Sequence, residues 1–175
     1  MKLQLKNCKI NLTFSEETIM FKADVYIDGK KCGYAENDGH GGSTWITPYP
    51  DKRQAISDAE KYFDSLPMVT TKYGDQEYKL KQSLELAIDE IVCDMVNKKE
   101  EKKFNDKMKK DMNKGLVVSN DNLKSYRVVT WKNKITINDL LKAPNGQESI
   151  KRAVQKCKQD GYAVYNTNIP THILN

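Results

Sequence analysis

The residues best suited by type to do chemistry crowd into 28–45, DGKKCGYAENDGHGGSTW, which holds five of the chain's nine glycines and one of its two histidines. Asparagine, aspartate and glycine reach positive backbone φ cheaply, so Asn37-Asp38-Gly39-His40-Gly41-Gly42 predicts a loop with an irregular backbone path. Successive N–H groups in such a loop form an anion nest, to which His40 would add a donor. The pattern differs from a phosphate loop: there is no G-x-x-x-x-G-K-[ST], and no helix starts directly after the glycines. His40 as a general base would need an orienting carboxylate and a nucleophile. Asp38 and Ser43 are near it in sequence, but such a set is defined by spatial geometry. The residue types therefore predict a binding surface and no catalytic set, with Tyr34, Asn37, Asp38, His40 and Trp45 as partner-binding residues. His172, beside Pro170, reads as a surface or packing residue.

Other reactive side chains are sparse. Cys8, Cys32, Cys93 and Cys157 are scattered with no C-x-x-C pair, which predicts reduced, mostly buried thiols and no metal centre. No cofactor motif is present. Between Asn97 and Lys114 the eight lysines Lys98, Lys99, Lys102, Lys103, Lys107, Lys109, Lys110 and Lys114 stand against four acids, so this window carries +4 of the chain's net +5. Clustered lysines attract phosphates or an acidic protein without regard to sequence. Glu100, Glu101 and Asp106 are also spaced to pair with neighbouring lysines, as on an ordinary solvated helix. Lys52 and Arg53, at a helix start, are further phosphate candidates. Tyr26, Tyr34, Trp45 and Tyr49, around the hairpins, suit base stacking or anchoring of a protein interface.

The elements that must position these groups follow from periodicity. Residues 2–14 read as a strand in two phases with a bulge at Lys6-Asn7: Leu3 and Leu5 share one face, and Cys8, Ile10, Leu12 and Phe14 alternate after the slip. Residues 19–27 alternate cleanly, Ile19, Phe21, Ala23, Val25 and Ile27 against Met20, Lys22, Asp24 and Tyr26. Asp28-Gly29 predicts a type I′ hairpin into a third strand over 30–36, with Cys32 and Tyr34 on one face. A fourth strand is expected at 43–47. Asp51 and Gln54 then form a D-x-x-Q capping box for a helix whose stripe is Ala55, Ile56, Ala59, Tyr62, Phe63 and Leu66, stopped by Pro67.

A loop over 68–76 is expected to lead into a long helix over 77–113. Its first half is apolar at Leu80, Leu84, Ala87, Ile88, Ile91, Val92 and Met95; its second half keeps only Phe104, Met108 and Met112 on a narrow line. Lys114-Gly115 ends it. A last unit is predicted from strands at 116–118 and 126–131, a short helix at 136–141, a helix at 147–159 and a closing strand at 162–165. The fold class is thus α+β: an N-terminal antiparallel meander carrying one helix (1–67), a long charged helix (77–114) and a small C-terminal β-α-β unit (115–175). At 175 residues, 38% apolar and 30% charged, the chain is long enough to bury a core without disulfides or metal. It shows neither a membrane span nor a signal peptide, which predicts a cytosolic protein.

The block DGKKCGYAENDGHGG, with the amphipathic helix after it, resembles small proteins of bacteriophages and other bacterial mobile elements, over about the first 70 residues. That resemblance implies a non-enzymatic inhibitor of a host protein or nucleoprotein, such as a CRISPR effector nuclease. Residues 21–66 are also similar in layout to a double-stranded-RNA-binding domain, with Asp51, Lys52, Arg53, Gln54 and Ala55 at the opening of its helix. The chain departs from that domain at Ile56, which replaces a lysine, in its N-terminal strand and in the inserted glycine loop. The second resemblance implies direct nucleic-acid binding as the alternative function.

Overall fold

The computed structural model describes residues 1–74 and 76–174, the side chains of residues 72 and 73 excepted. The architecture is α+β and forms two compact units, Met1–Lys99 and Glu100–Asn175. In the first unit β1 (Leu3–Ile10), β2 (Phe21–Ile27), β3 (Lys30–Asn37) and β4 (Trp45–Pro48) pair antiparallel in the order β1-β2-β3-β4. α1 (Arg53–Asp64) follows, then a two-stranded hairpin of β5 (Val69–Tyr73) and β6 (Gln76–Leu80), then α2 (Leu84–Met112), which runs past the boundary between the units.

Alternation along β2 decides the first core. Phe21, Ala23, Val25 and Ile27 are buried and pack with Leu5, Cys32 and Ala35, with Ile56 and Ala59 of α1, and with Leu84, Ile88 and Val92 of α2. Both helices thus cover one face of the sheet with apolar residues at helical spacing. The opposite face carries Lys22, Asp24 and Tyr26 of β2, which are exposed or half-buried. Asp28 (φ 48°) and Gly29 (φ 81°) make the expected primed turn. The expected bulge in β1 is present: the register slips between Lys6 and Lys9, and Asn7 adopts φ 51°.

Several expectations are corrected. The first strand does not run to Phe14, because the Asn11 side chain accepts the Thr13 N–H (3.1 Å) and turns residues 12–14 into a 3-10 helix with Phe14 61% exposed. Cys32 and Tyr34 do not share a face. The β2–β3 register shifts between Val25 and Tyr26, so Cys32 is buried while Tyr34, opposite Asp24, stands outward. Asp51 does not cap α1; a 3-10 turn at Pro50–Lys52 moves the cap position to Lys52, Asp51 pairs with Lys52 (2.8 Å), and Gln54 donates to Asp58 (2.8 Å). Residues 69–73 and 76–80 are strands, where a loop and the start of the long helix were expected; Asp75 of that stretch lies outside the described residues. The helix starts at Leu84 because the Ser83 hydroxyl accepts the Leu86 N–H (3.0 Å).

In the second unit β7 (Leu116–Ser119) is central between β8 (Arg127–Val129) and β9 (Ala163–Val164), all antiparallel. α3 (Ile137–Lys142), α4 (Gly146–Gln159) and α5 (Thr171–Leu174) complete a core of Leu116, Val118, Ile137, Leu140, Ile150 and Val154 with neighbours. Thr136 and Asp139 form a reciprocal capping box for α3. Asn166, buried, accepts the Val117 N–H (2.7 Å) and donates to the carbonyls of Met112 (3.2 Å) and Gly115 (3.0 Å), satisfying the end of α2.

Gly33 is the close-approach point that seats β4. A Cβ there would lie 2.2 Å from the Thr47 carbonyl oxygen, so the β3–β4 ladder requires glycine. Gly33→Ala is expected to lower unfolding stability by about 2 kcal/mol, the usual cost of overpacking, and to speed amide exchange in β4. Stability within about 0.5 kcal/mol of wild type would show that β4 shifts without strain.

Candidate functional site

The glycine loop between β3 and β4 is built around one side chain. Asn37 ends β3 on the core side and is 6% exposed. Its Oδ1 accepts the Thr18 hydroxyl (2.7 Å) and the Gly39 N–H (2.9 Å); its Nδ2 donates to the Gly42 carbonyl (3.0 Å) and to Thr44 Oγ1 (3.2 Å). Gly39 sits at φ 89°, and a Cβ on it would lie 2.5 Å from the Phe14 carbonyl oxygen. Its own carbonyl accepts N–H groups from Glu16, Glu17 and Thr18 at 2.9, 3.2 and 3.3 Å. The loop is thereby sewn to residues 15–18.

A second set of bonds ties the loop to α2. The Thr44 N–H donates to Glu85 (2.9 Å) and its hydroxyl to Asp89 (2.6 Å). Burial pushes the Asp89 carboxyl above the ordinary aspartate value, the Thr44 hydrogen bond opposes this, and the charge of Glu85 adds to it. Asp89, Thr18, Phe21 and Asn37 help to line a small cavity of about 190 Å³.

The His40 imidazole pairs with Glu16, and among the described residues no hydrogen bond joins the ring to Asp38 or Ser43. Its Nδ1 is 3.2 Å from the Glu16 carboxylate, both groups being well exposed, while Asp38 accepts the His40 backbone N–H (3.1 Å). The hydrogen bond to Glu16, then its charge, raises His40 above the ordinary imidazole value of 6.5, with Asp38 adding to the rise. The geometry makes the pair a cross-brace between two loops.

The outward face of the sheet gathers the remaining loop residues. Register places Lys9, Lys22, Glu36 and Trp45 in one row across the four strands, and Lys6, Asp24, Tyr34 and Thr47 in the next. Trp45 is 74% exposed. It borders an open groove of about 670 Å³ lined from both faces of the sheet, by Lys9, Lys22 and Glu36 of the outward face and by Ile10, Phe21 and Asn37 of the core side. Lysine ammonium groups lie over the tyrosine rings: Lys6 4.2 Å from Tyr26, Lys22 4.5 Å from Tyr34 and Lys31 5.5 Å from Tyr49. Lys22 and Lys31 are neutralised by Glu36 (2.7 Å) and Asp24 (3.1 Å).

Of the sequence-predicted residues, Tyr34, Asp38 and Trp45 come together at this face. His40 stays in the adjoining loop, and Asn37 is an internal brace. Tyr26, expected as a stacking or anchoring aromatic, lies on the same outward face; Lys6, Lys9 and Lys22 were not expected there, although the alternation of residues 19–27 already put Lys22 on the outward side.

The basic candidates stand elsewhere. Lys52 pairs with Asp51, and Arg53 opens α1 exposed. Lys98, Lys99, Lys102, Lys103, Lys107, Lys109 and Lys110 are all exposed on α2, Lys103 paired with Glu100 (2.6 Å). The narrow apolar line beside them is occupied within its own unit: Phe104 meets Tyr126 edge-on at 5.2 Å, and Met112 is buried. All four cysteines are free; Cys32 and Cys157 are buried, Cys8 is half-buried and Cys93 exposed. Among the described residues no group of three or more His, Cys, Asp or Glu is placed to hold a metal, and no helix is long and apolar enough to cross a membrane.

No protein-family model matches the chain, and neither a curated protein nor a solved structure similar to it was found.

Asn37→Ala is expected to cost about 3 kcal/mol in denaturant unfolding, because it leaves buried partners unsatisfied; a loss below about 1 kcal/mol would show that water replaces the amide. The raised pKa of His40 means that its contact with Glu16 stabilises the fold fully below the unfolded value near 6.5 and is lost as pH rises through the folded value. NMR titration of the imidazole should give a midpoint above 6.5 that falls back in Glu16→Gln. An unchanged midpoint would show that the pair is absent in solution.

Proposed function

We propose that the chain is a non-enzymatic binding protein whose recognition surface is the outward face of the N-terminal sheet together with the glycine loop. The observation that carries this reading is the division of the sheet. α1 and α2 both pack on one side, and the other side carries Trp45, exposed beside a groove, with Tyr26 and Tyr34 on the same face. Exposed aromatics held on rigid strands are what a binding surface needs, since little conformational freedom remains to be lost on association. His40, braced to Glu16, serves this surface as scaffold.

The partner in this reading is a host nucleoprotein, an effector nuclease of the CRISPR type. Support for that target comes from the resemblance of DGKKCGYAENDGHGG to mobile-element proteins. A second reading, direct capture of nucleic acid by the lysines of α2, is favoured by their exposure along that helix.

Target cleavage by guide-loaded effector nucleases, measured with increasing amounts of the purified chain, tests the first reading. Cleavage should fall at stoichiometric chain, and Trp45→Ala should raise the half-inhibitory concentration about tenfold, the effect of removing an interface anchor. Undiminished cleavage at large excess across single-protein and multi-subunit effectors would exclude that target.

A further inference from the structure

We infer that the outward sheet face binds unpaired nucleobases of a single-stranded nucleic acid, with one base stacked on Trp45 in the groove and the backbone drawn along Lys6 and Lys9. The inference rests on the reading of this face as the recognition surface and names what it recognises. Three observations lead to it.

The first is the placement of the aromatics. Tyr34 on β3 pairs with Asp24, two residues from Tyr26 on β2, and with Thr47, two positions beyond Trp45 on β4. Each step from Tyr26 to Tyr34 to Trp45 therefore moves one strand over and two residues along, so the three rings form a diagonal across the sheet. Strand spacing and rise set that step at about 8 Å. Rings spaced along a line offer separate π faces to successive bases, which a duplex, with its bases already stacked and paired, cannot use.

The second is the charge between and beside the rings. Lys22 and Lys31 are matched by Glu36 and Asp24, but the Lys6 ammonium lies over the Tyr26 ring, and neither Lys6 nor Lys9 makes an ion pair among the described residues. Two unmatched ammonium groups thus lie on β1, along one side of the diagonal. A phosphate backbone can follow β1 while its bases reach inward.

The third is the nature of the surface the rings interrupt. A protein partner would have to desolvate Lys22, Asp24 and Glu36 to reach both Tyr34 and Trp45, and burying such charges costs more than their pairing returns. A base stacked on Trp45 leaves these charged ends in water, and one stacked on Tyr34 has to displace only the Lys22 ammonium from the ring face, which stays at the solvent edge. The groove beside Trp45, about 670 Å³ and lined by both apolar and charged side chains, is large enough for a nucleotide.

Fluorescence anisotropy with labelled 12-nucleotide DNA and RNA strands of one sequence, and with the matching duplexes, tests the inference. Single strands should bind at least tenfold more tightly than duplex. Trp45→Ala and Tyr34→Ala should each weaken binding about tenfold, with Trp45→Phe restoring most of it. With two phosphates neutralised, affinity should fall roughly sevenfold between 50 and 200 mM salt. Thermal unfolding of each variant confirms that it is folded.

No binding of either single strand at 50 mM salt overturns the inference, as does binding that both alanine variants leave unchanged. Equal affinity for duplex, lost in Lys102→Glu with Lys107→Glu, would move the nucleic acid to α2 and also overturns it. The two readings fail separately. Nuclease inhibition that needs Trp45 without oligonucleotide binding leaves a protein-contacting face, whereas oligonucleotide binding without inhibition removes only the nuclease target.

Discussion

The side-chain amide of Asn37 occupies a position where the alternation of β3 calls for a hydrophobe, directly opposite Phe21 on the core side of the sheet. A buried amide is costly unless it is fully paired. Here it is: two acceptor sites take Thr18 and Gly39, and two N–H groups reach Gly42 and Thr44. Because the amide has no capacity left over, the loop has few alternative paths. A different course for residues 38–44 would orphan at least one buried group, and each orphan costs about 1–3 kcal/mol. The glycine-rich loop, flexible by composition, is rigid by accounting of its hydrogen bonds.

The brace extends into the helix. Leu84, Ile88 and Val92 of α2 lie in the core, while Glu85 and Asp89, one residue further on at the same four-residue spacing, grip Thr44 from the adjoining stripe. One helix therefore fixes the sheet from below and the loop from the side. Asp89 carries the cost in its raised pKa, since burial disfavours its charge and the Thr44 hydroxyl only partly offsets that. Trp45 follows Thr44 directly and inherits the order of the clamp, although its own ring is largely in water.

How much of this could be read from residues alone depends on which interactions were local. The period-2 pattern of residues 21–27, the Asp28-Gly29 turn and the stripe of α2 from Leu84 onward rest on local spacing and are present as expected, whereas Ile19 precedes β2 and Leu80 falls in β6. A capping box stands at Thr136–Asp139, while the one expected at Asp51–Gln54 is absent, because Pro50 opens a 3-10 turn that shifts the cap by one residue. The hairpin of β5 and β6 carried a signal in Gly74, flanked by TTKY and EYKL, but its periodicity competed with that of the following helix. The bulge that turns Cys32 inward and Tyr34 outward had no local mark. The role of Asn37 was least legible, since it depends on Thr18, 19 residues away, and on Thr44, whose anchors lie more than 40 residues on.

The cation–π pairs show why an open, lysine-bearing sheet face can stay ordered before any partner arrives. Lys6 over Tyr26 and Lys22 over Tyr34 hold the ring orientations with contacts worth about 0.5–1 kcal/mol each at exposed sites. That is enough to bias a rotamer and too little to resist displacement by a stronger ligand. The same lysines also shield tyrosine faces that would otherwise form an apolar patch beside the edge strand β4, and unshielded patches next to free strand edges invite aggregation. Trp45 has no such cover among the described cation–π contacts. Of the three rings on the diagonal, Trp45 is therefore the one without a lysine over it among the described residues, and under the proposed stacking of bases first contact at Trp45, followed by exchange at Tyr34 and Tyr26, is the order that these energies favour.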